Sequence, residues 1–313
     1  MRLMLLLATL TAAALSSAHA ETVEISGPLG PLAGERITVE GAEHVVVIIP
    51  GSGMTDHNGN GPPGGMRSDT YLLLAEGLAA RGVASLRVDK RGTFASAGAI
   101  SDGNDVTIAA YAQDARDWVN EAAGLAPCVW LAGHSEGGLV ALVAAQTPPE
   151  ALCGLILLAA PGRPVGQLLI EQIAANPANA FLLPEVEAAV AEIEAGRSID
   201  PEGLAPPLQP LFTPGVQRYM IDLFSHDPVA VAHWEGPALI VQGDADLQVR
   251  PLDAGLLATA LPQAERLDLP GGTHMLKPDQ PGQPFASYSD PSLPLHAALI
   301  PAIVSFLERA PGR

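Results

Sequence analysis

The chain has 313 residues, of which 48% are hydrophobic and 16% are charged. This composition is typical of an ordered globular protein with a large core and argues against intrinsic disorder. The formal net charge of −18 disfavours nucleic acid as a partner, because an acidic surface repels a phosphate backbone.

The first twenty residues have the layout of a secretory signal peptide. Arg2 supplies a positive charge, residues 3–15 are almost wholly apolar or small, and residues 18–20 provide the small side chains that a signal peptidase reads. The alternative is a membrane anchor, but the apolar run is shorter than the roughly 20 residues that span a bilayer. We therefore expect residues 21–313 to be exported, periplasmic or secreted, with no stable membrane anchor.

Strand-like and helix-like segments alternate along the mature chain. Residues 45–49 are all valine or isoleucine, which is typical of a strand buried on both faces of a sheet. The alternation predicts an α/β fold, with a mostly parallel sheet covered by helices on both faces. The predicted strands occupy residues 22–26, 35–40, 44–50, 84–90, 129–132, 154–160, 238–242 and 266–269. The predicted helices of this layer occupy residues 69–81, 109–123, 139–146 and 296–307.

Residues 164–235 interrupt this alternation. They contain no convincing strand, and proline-rich turns separate helical pieces at residues 167–175, 185–195 and 216–224. The segment far exceeds the usual length of a connection between two elements. We interpret it as a helical cap inserted between two strands, with ordinary connecting helices packed on the sheet as the alternative.

A serine motif follows the predicted strand at residues 129–132. Residues 133–137 read Gly-His-Ser-Glu-Gly, and a helix-like segment comes next, which is the context of a nucleophile elbow. In such a sharp turn the serine has a strained backbone conformation, and its hydroxyl is exposed at the end of the strand. The motif therefore predicts Ser135 as a nucleophile, with a structural glycine turn as the alternative.

A nucleophilic serine needs a base, and the base needs an acid that orients it. Where the serine stands in such an elbow, the acid and then the histidine follow it in the chain. Asp246 lies in the turn after a buried strand and is the expected acid, with Asp244 as the alternative. Asp244 is closer to the end of the strand, where it would instead hold the turn by bonding backbone N–H groups. His274 follows a glycine-rich turn, whose backbone freedom lets the ring reach the serine. His134 adjoins the nucleophile, but we expect its side chain to point away from the hydroxyl.

The oxyanion of a tetrahedral intermediate needs N–H donors that are already in place. We expect the backbone of Glu136 to supply one donor. The other should come from the glycine-rich loop after residues 45–49, where Ser52 is the preferred donor and Gly53 and Met54 are the alternatives. A plain glycine-rich turn is the other interpretation of this loop.

The two cysteines, Cys128 and Cys153, stand at the starts of strands that would be neighbours in this fold. Export would permit a disulfide between them, and two buried thiols are the alternative. Residues 89–92, Asp-Lys-Arg-Gly, are expected to brace the loops through a hydrogen-bonded charge pair. Residues 56–61 form a polar turn with too few paired ligands for a metal site, and no phosphate-binding loop occurs. We predict neither a metal nor a cofactor.

These motifs resemble those of the α/β-hydrolase superfamily, and most of all its exported bacterial branch, which is esterase-like or serine aminopeptidase-like. The resemblance implies an eight-stranded, mostly parallel sheet. His57 stands where that branch would have an arginine, and Met54 where it would have a proline. The matching segments are residues 50–61, 87–92, 133–138, 241–249, 272–277 and 288–295.

Motifs and resemblance together predict a cofactor-free hydrolase of small acyl substrates, either carboxylic esters or thioesters. Ser135 would attack the carbonyl carbon, His274 would carry the proton to the leaving group, and Asp246 would hold the ring. Three alternatives share the fold. A peptidase would use the same three residues with an acidic pocket for a free α-amino group. An acyltransferase or perhydrolase would replace water with another nucleophile, and a binding module would have no need of the three residues.

Overall fold

The computed structural model describes residues 19–310. Residues 1–18, which include most of the predicted signal peptide, lie outside the described residues. One eight-stranded sheet organises the rest of the chain. Its strands are β1 (His19–Ser26), β2 (Pro31–Thr38), β3 (His44–Ile49), β4 (Ala84–Val88), β5 (Cys128–His134), β6 (Leu152–Leu158), β7 (Ala238–Gly243) and β8 (Glu265–Leu269).

The strands lie in the order β1-β2-β4-β3-β5-β6-β7-β8. β1 pairs antiparallel with β2, and β2 pairs antiparallel with β4. Every other neighbouring pair is parallel. The prediction of an eight-stranded, mostly parallel sheet is confirmed. Because the carboxyl ends of parallel strands meet at one edge, the loops after β3, β5, β7 and β8 converge there.

Helices cover both faces of the sheet, and the alternation of side chains along the strands divides the core between them. On β5, Val129 and Leu131 belong to one apolar cluster, whereas Trp130 and Ala132 belong to the other. The first cluster includes side chains of α2 (Ile108–Ala122) and α3 (Glu136–Ala144). The second includes side chains of α1 (Thr70–Ala79) and α10 (Leu299–Arg309).

Four α-helices, three short 3₁₀ helices and no strand occupy the described chain between β6 and β7. The α-helices are α4 (Val165–Ala174), α5 (Leu183–Glu194), α6 (Pro214–Phe224) and α7 (Pro228–Val231). Buried side chains of this insertion, such as Val186, Phe212 and Leu223, join the same apolar cluster as α2 and α3. The insertion therefore packs over one face of the sheet. The remaining α-helices are α8 (Pro251–Ala260) and α9 (Ala286–Ser289). No helix within residues 19–310 has the length and apolarity needed to cross a membrane.

Several element bounds differ from those expected from the sequence. β2 begins four residues earlier than predicted and includes Gly34, because the strand is paired on both sides and ladder hydrogen bonds outweigh the low strand propensity of glycine. α3 begins directly after Ser135, three residues earlier than predicted. The prediction missed this first turn because it contains Gly137 and Gly138, which are weak helix formers. The last helix begins three residues later than predicted, and α8 was not predicted from the sequence.

A disulfide joins Cys128, the first residue of β5, to Cys153 on β6, with 5.6 Å between the two Cα atoms. It closes a loop with a sequence separation of 25 residues. That loop contains the serine motif and α3. The cross-link therefore ties together the amino ends of the two strands, at the edge of the sheet opposite to the serine.

Candidate active site

Ser135 stands in a sharp turn between β5 and α3. Its backbone has φ 53° and ψ −124°, an unusual conformation for a residue with a side chain. A Cβ atom placed on Gly133 would lie 2.0 Å from the carbonyl oxygen of Gly137, so the turn cannot close with any larger residue at that position. Strain of this kind costs about 1–3 kcal/mol and persists where the surroundings enforce it. The geometry is that of the expected nucleophile elbow.

The structure brings the predicted base and acid together. Nδ1 of His274 lies 2.8 Å from Oδ2 of Asp246. The other carboxylate oxygen accepts hydrogen bonds from the backbone N–H groups of Gln248, at 2.7 Å, and Val249, at 3.0 Å. Burial opposes ionisation of Asp246, but the charge of His274 and these hydrogen bonds hold the pKa of the carboxyl below its ordinary value. An ionised Asp246 keeps the proton of the ring on Nδ1 and leaves Nε2 as the basic nitrogen.

Asp244, the alternative acid, has a different task. Its Oδ1 atom accepts a hydrogen bond of 2.6 Å from the backbone N–H of Gly271. The aspartate therefore ties the turn after β7 to the turn before His274. Of the two candidate acids, only Asp246 contacts the histidine.

The histidine loop lies against the nucleophile elbow. The ring centroid of His274 is 4.7 Å from that of His134, the residue before Ser135. Within residues 19–310, no hydrogen bond joins the hydroxyl of Ser135 to the ring of His274. Catalytic hydrogen bonds are often long in a free enzyme and shorten when the substrate binds.

The loop after β3 also approaches the serine. A Cβ atom on Gly51 would lie 3.1 Å from Cβ of Ser135. Ser52, Gly53 and Glu136 line the same cavity as the serine. The structure therefore places the preferred oxyanion donor and one of its alternatives at the site, whereas the Met54 side chain is 55% exposed.

Lys90 connects the two segments that are expected to supply oxyanion donors. Its buried Nζ atom donates to the carbonyl oxygen of Gly51 at 2.7 Å and to Oε1 of Glu136 at 2.9 Å. The sequence predicted a brace at residues 89–92, but not that this lysine would reach the nucleophile elbow. The sequence feature that could have indicated this contact is a lysine just after the end of a buried strand, at the edge of the sheet where the nucleophile lies.

A cavity of about 330 Å³ opens beside Ser135. One side of it is formed by the helical insertion, whose side chains there are mostly apolar. Those contributed by α4 and α6 include Val165, Leu168, Leu169, Met220, Leu223 and Phe224. Gln172 and Gln248 add polar groups. Residues 19–310 contain no group of three or more His, Cys, Asp or Glu side chains arranged to hold a metal ion.

The family model described as serine aminopeptidase, S33, matches residues 64–281, which is more than two thirds of the chain and includes Ser135, Asp246 and His274. The chain belongs to this family of α/β-hydrolases. The predicted resemblance to the α/β-hydrolase superfamily is thereby confirmed. No protein with curated annotation matches the sequence.

Solved structures of other α/β-hydrolases share the fold. Est1E from Butyrivibrio proteoclasticus, solved with ferulic acid, is 20% identical with a TM-score of 0.59, covering 92% of this chain and 98% of that chain. The α/β-hydrolase GrgF from Penicillium sp. sh18 is 18% identical with a TM-score of 0.60, covering 93% and 99%. The Pyrococcus furiosus esterase PF2001 is 15% identical with a TM-score of 0.58, covering 94% and 91%.

In this α/β-hydrolase, His57 holds the glycine-rich loop against the end of β4. Its backbone N–H lies 2.7 Å, and its Nδ1 atom 3.0 Å, from Oδ1 of Asp89. The hydrogen bond to Asp89 and the charges of Asp89 and Asp56 raise the pKa of His57, although burial and the nearby Arg87 oppose this. Beside this pair, Arg91 forms an ion pair with Asp114. The charged segment after β4 thus braces the loops, as expected from the sequence.

The His57 pair gives the stability of the protein a defined pH dependence. The folded-state pKa of His57 lies above its ordinary value of 6.5. The stability that protonated His57 contributes to the fold is therefore complete below pH 6.5 and is lost as the pH rises through the folded-state pKa. We expect His57→Gln to lower the free energy of unfolding more at about pH 5.5 than at about pH 8.5, as measured by urea denaturation.

The matched control is His233→Gln, because His233 is an exposed histidine. This variant should show no such difference between the two pH values. An equal loss of stability for His57→Gln at both pH values would contradict the charge pair.

Proposed function

We propose that the protein hydrolyses carboxylic esters or thioesters of apolar acyl groups through an acyl-enzyme intermediate. The observation that carries this proposal is the apolar cavity that opens beside the strained Ser135. Its volume of about 330 Å³ is at the lower end of the range for small-molecule sites, roughly 300–1,000 Å³. We infer that the acyl group is of short to medium length.

The reaction follows from the arrangement of the groups. Ser135 Oγ attacks the carbonyl carbon while Nε2 of His274 takes the hydroxyl proton and passes it to the leaving group. The backbone N–H groups of Glu136 and Ser52 hold the oxyanion that forms. Water activated by the same histidine then releases the acid. Asp246 stays ionised throughout and stabilises the imidazolium.

An aminopeptidase is the second candidate, because the family is named for that activity. Recognition of a free α-ammonium group calls for a carboxylate that has no other cation to neutralise it. Among the described residues that line the cavity, Glu136 is the one acid, and Lys90 already lies 2.9 Å from its Oε1 atom. The lining therefore favours neutral, apolar acyl groups over an aminoacyl group.

A fluorophosphonate probe tests the nucleophile. We expect the wild-type protein to be labelled and to cleave p-nitrophenyl esters, and Ser135→Ala to lose labelling and at least roughly 10³-fold of kcat/KM. Turnover of aminoacyl amides, measured beside the acyl esters, separates the peptidase from the esterase.

The control for this test is Ser101→Ala, because Ser101 is an exposed serine outside the cavity. It should match the wild type in both measurements. If Ser135→Ala were labelled and turned over substrate as the wild type does, the proposed nucleophile would be wrong.

The wall of the cavity should set the acyl length. Leu169 in α4 lines the cavity, so a larger side chain there can extend into the space beside Ser135. We expect Leu169→Trp to lower kcat/KM for octanoyl esters by at least about 10-fold, because the lost volume is that of several methylene groups. Acetyl esters should be cleaved as by the wild type.

Leu252→Trp is the matched control, since Leu252 is a leucine of α8 that is 57% exposed. It should leave the chain-length profile unchanged. Equal losses of activity for acetyl and octanoyl esters in Leu169→Trp would show that the cavity does not hold the acyl chain.

We also propose that the enzyme works outside the cytoplasm. The charged start and apolar run of residues 2–15 and the disulfide between Cys128 and Cys153 support an oxidising compartment. Amino-terminal sequencing of the protein from its native cells should begin near Glu21. Recovery of the protein with Met1 or Arg2 at its amino terminus would contradict export by cleavage.

A further inference from the structure

A chain of buried hydrogen bonds connects the glycine-rich loop to the loop of the catalytic histidine. The backbone N–H of Gly51 donates to Oη of Tyr71 at 3.1 Å. Oη of Tyr71 lies 2.8 Å from Nδ1 of His134, and Nε2 of His134 lies 2.8 Å from the carbonyl oxygen of His274. Tyr71 and His134 are each only 2% exposed. The mechanism described above uses neither side chain.

The ends of this chain fix the direction of every bond in it. The N–H of Gly51 only donates, so Tyr71 Oη accepts, and the hydroxyl proton is free for Nδ1 of His134. The carbonyl of His274 only accepts, so Nε2 of His134 must carry the ring proton. A neutral His134 protonated on Nε2 thus satisfies all four groups. Burial lowers the pKa of His134 to about 3, so the ring stays in this form at ordinary pH.

The backbone of Gly51 is held on both sides. Its N–H is bound by Tyr71, and its carbonyl oxygen accepts a hydrogen bond from Lys90 at 2.7 Å. Tyr71 belongs to α1 and His134 is the last residue of β5, so both anchors stand on regular elements. The position of the Gly51 backbone is therefore set relative to the nucleophile and to the histidine loop at once.

We propose that Tyr71 and His134 are positioning residues for acyl transfer. They keep the oxyanion donor next to Gly51 and the base His274 in a fixed relation to each other, so that both act on one tetrahedral intermediate. This inference rests on the proposed function. His134 exchanges no proton with the substrate, because both of its ring nitrogens are engaged in the chain.

Tyr71→Phe removes one hydroxyl and leaves two buried groups, the N–H of Gly51 and Nδ1 of His134, without their partner. The loop is then free to shift, and the oxyanion loses part of its stabilisation. Removal of a whole oxyanion donor costs about 10²–10³ in kcat. We expect the displaced donor to cost about 10–100-fold in kcat, with KM changed less than about threefold.

The experiment counts active sites with a fluorophosphonate and reports kcat per labelled site, together with the rate of labelling and the pH profile. Tyr71→Phe should slow both turnover and labelling, while the pH profile keeps the shape of the wild type. The matched control is Tyr111→Phe, which removes the hydroxyl of another buried tyrosine and leaves the chain of hydrogen bonds intact. Its kcat per labelled site should equal that of the wild type.

Two substitutions of His134 break the chain on opposite sides of its ring. His134→Asn keeps an acceptor for Tyr71 and loses the donor to His274, whereas His134→Gln keeps that donor and loses the acceptor. If Tyr71→Phe does not fold, these variants carry the test. When Tyr71→Phe does fold, the double variant Tyr71→Phe/His134→Gln should be about as slow as Tyr71→Phe alone, since Tyr71→Phe already breaks the bond to His134.

The outcomes separate the two proposals. Wild-type kcat and labelling rate in the folded variants would overturn the positioning role. So would a loss that appears only as fewer labelled sites, because that result reports stability alone. A wild type that is labelled but cleaves no ester overturns the proposed substrate class, and the labelling rates of the variants still decide the positioning role. A wild type that is not labelled overturns both.

Discussion

The site depends on the close approach of backbone segments at the carboxyl edge of the sheet. A Cβ atom on Gly137 would lie 2.4 Å from the carbonyl oxygen of Ile49, and one on Gly243 would lie 2.1 Å from that of Gly272. At Gly137 the nucleophile elbow packs against the end of β3, and at Gly243 the end of β7 packs against the turn before His274. Because glycine has no side chain, the backbones come close enough for the proposed nucleophile, acid, base and oxyanion loop to meet. Since packed cores resist small displacements, these close approaches fix the relative positions of the segments.

Once the backbones are this close, their polar groups have little access to water and must find partners in the protein. Lys90 and the Tyr71–His134 pair meet this demand at the carbonyl and the N–H of Gly51. Glu136 balances the charge of Lys90, because a lone buried cation would be costly. Polar and charged groups are therefore concentrated beneath the nucleophile elbow, whereas the side chains that face the cavity carry almost no net charge. This balance is the physical reason for expecting an apolar, uncharged acyl group.

Short-range patterns predicted the sheet and the order of Ser135, Asp246 and His274, because these features depend on local sequence. The buried β-branched run at residues 45–49 marks β3, and the choice between Asp244 and Asp246 follows from their places in one turn. The start of α3 was hidden, because the glycines required for close approach are poor helix formers. The expectation for His134 concerned only its direction from the hydroxyl and gave no hint of its two partners. Those partners, Tyr71 and the carbonyl of His274, lie 63 and 140 residues away in sequence.

The groups proposed to react and the side chains that line the cavity come from different parts of the fold. The reacting groups all follow strands of the sheet, whereas the apolar wall of the cavity comes from α4 and α6 of the insertion. Substitutions in the insertion can therefore reshape the cavity without moving the backbone contacts that align the catalytic groups. The disulfide lies at the far end of β5 and β6, where it constrains the unfolded chain, and neither cysteine lines the cavity. Because the disulfide, the proposed catalytic groups and the wall of the cavity belong to different parts of the molecule, we expect that the acyl specificity can change while the proposed chemistry at Ser135 stays the same.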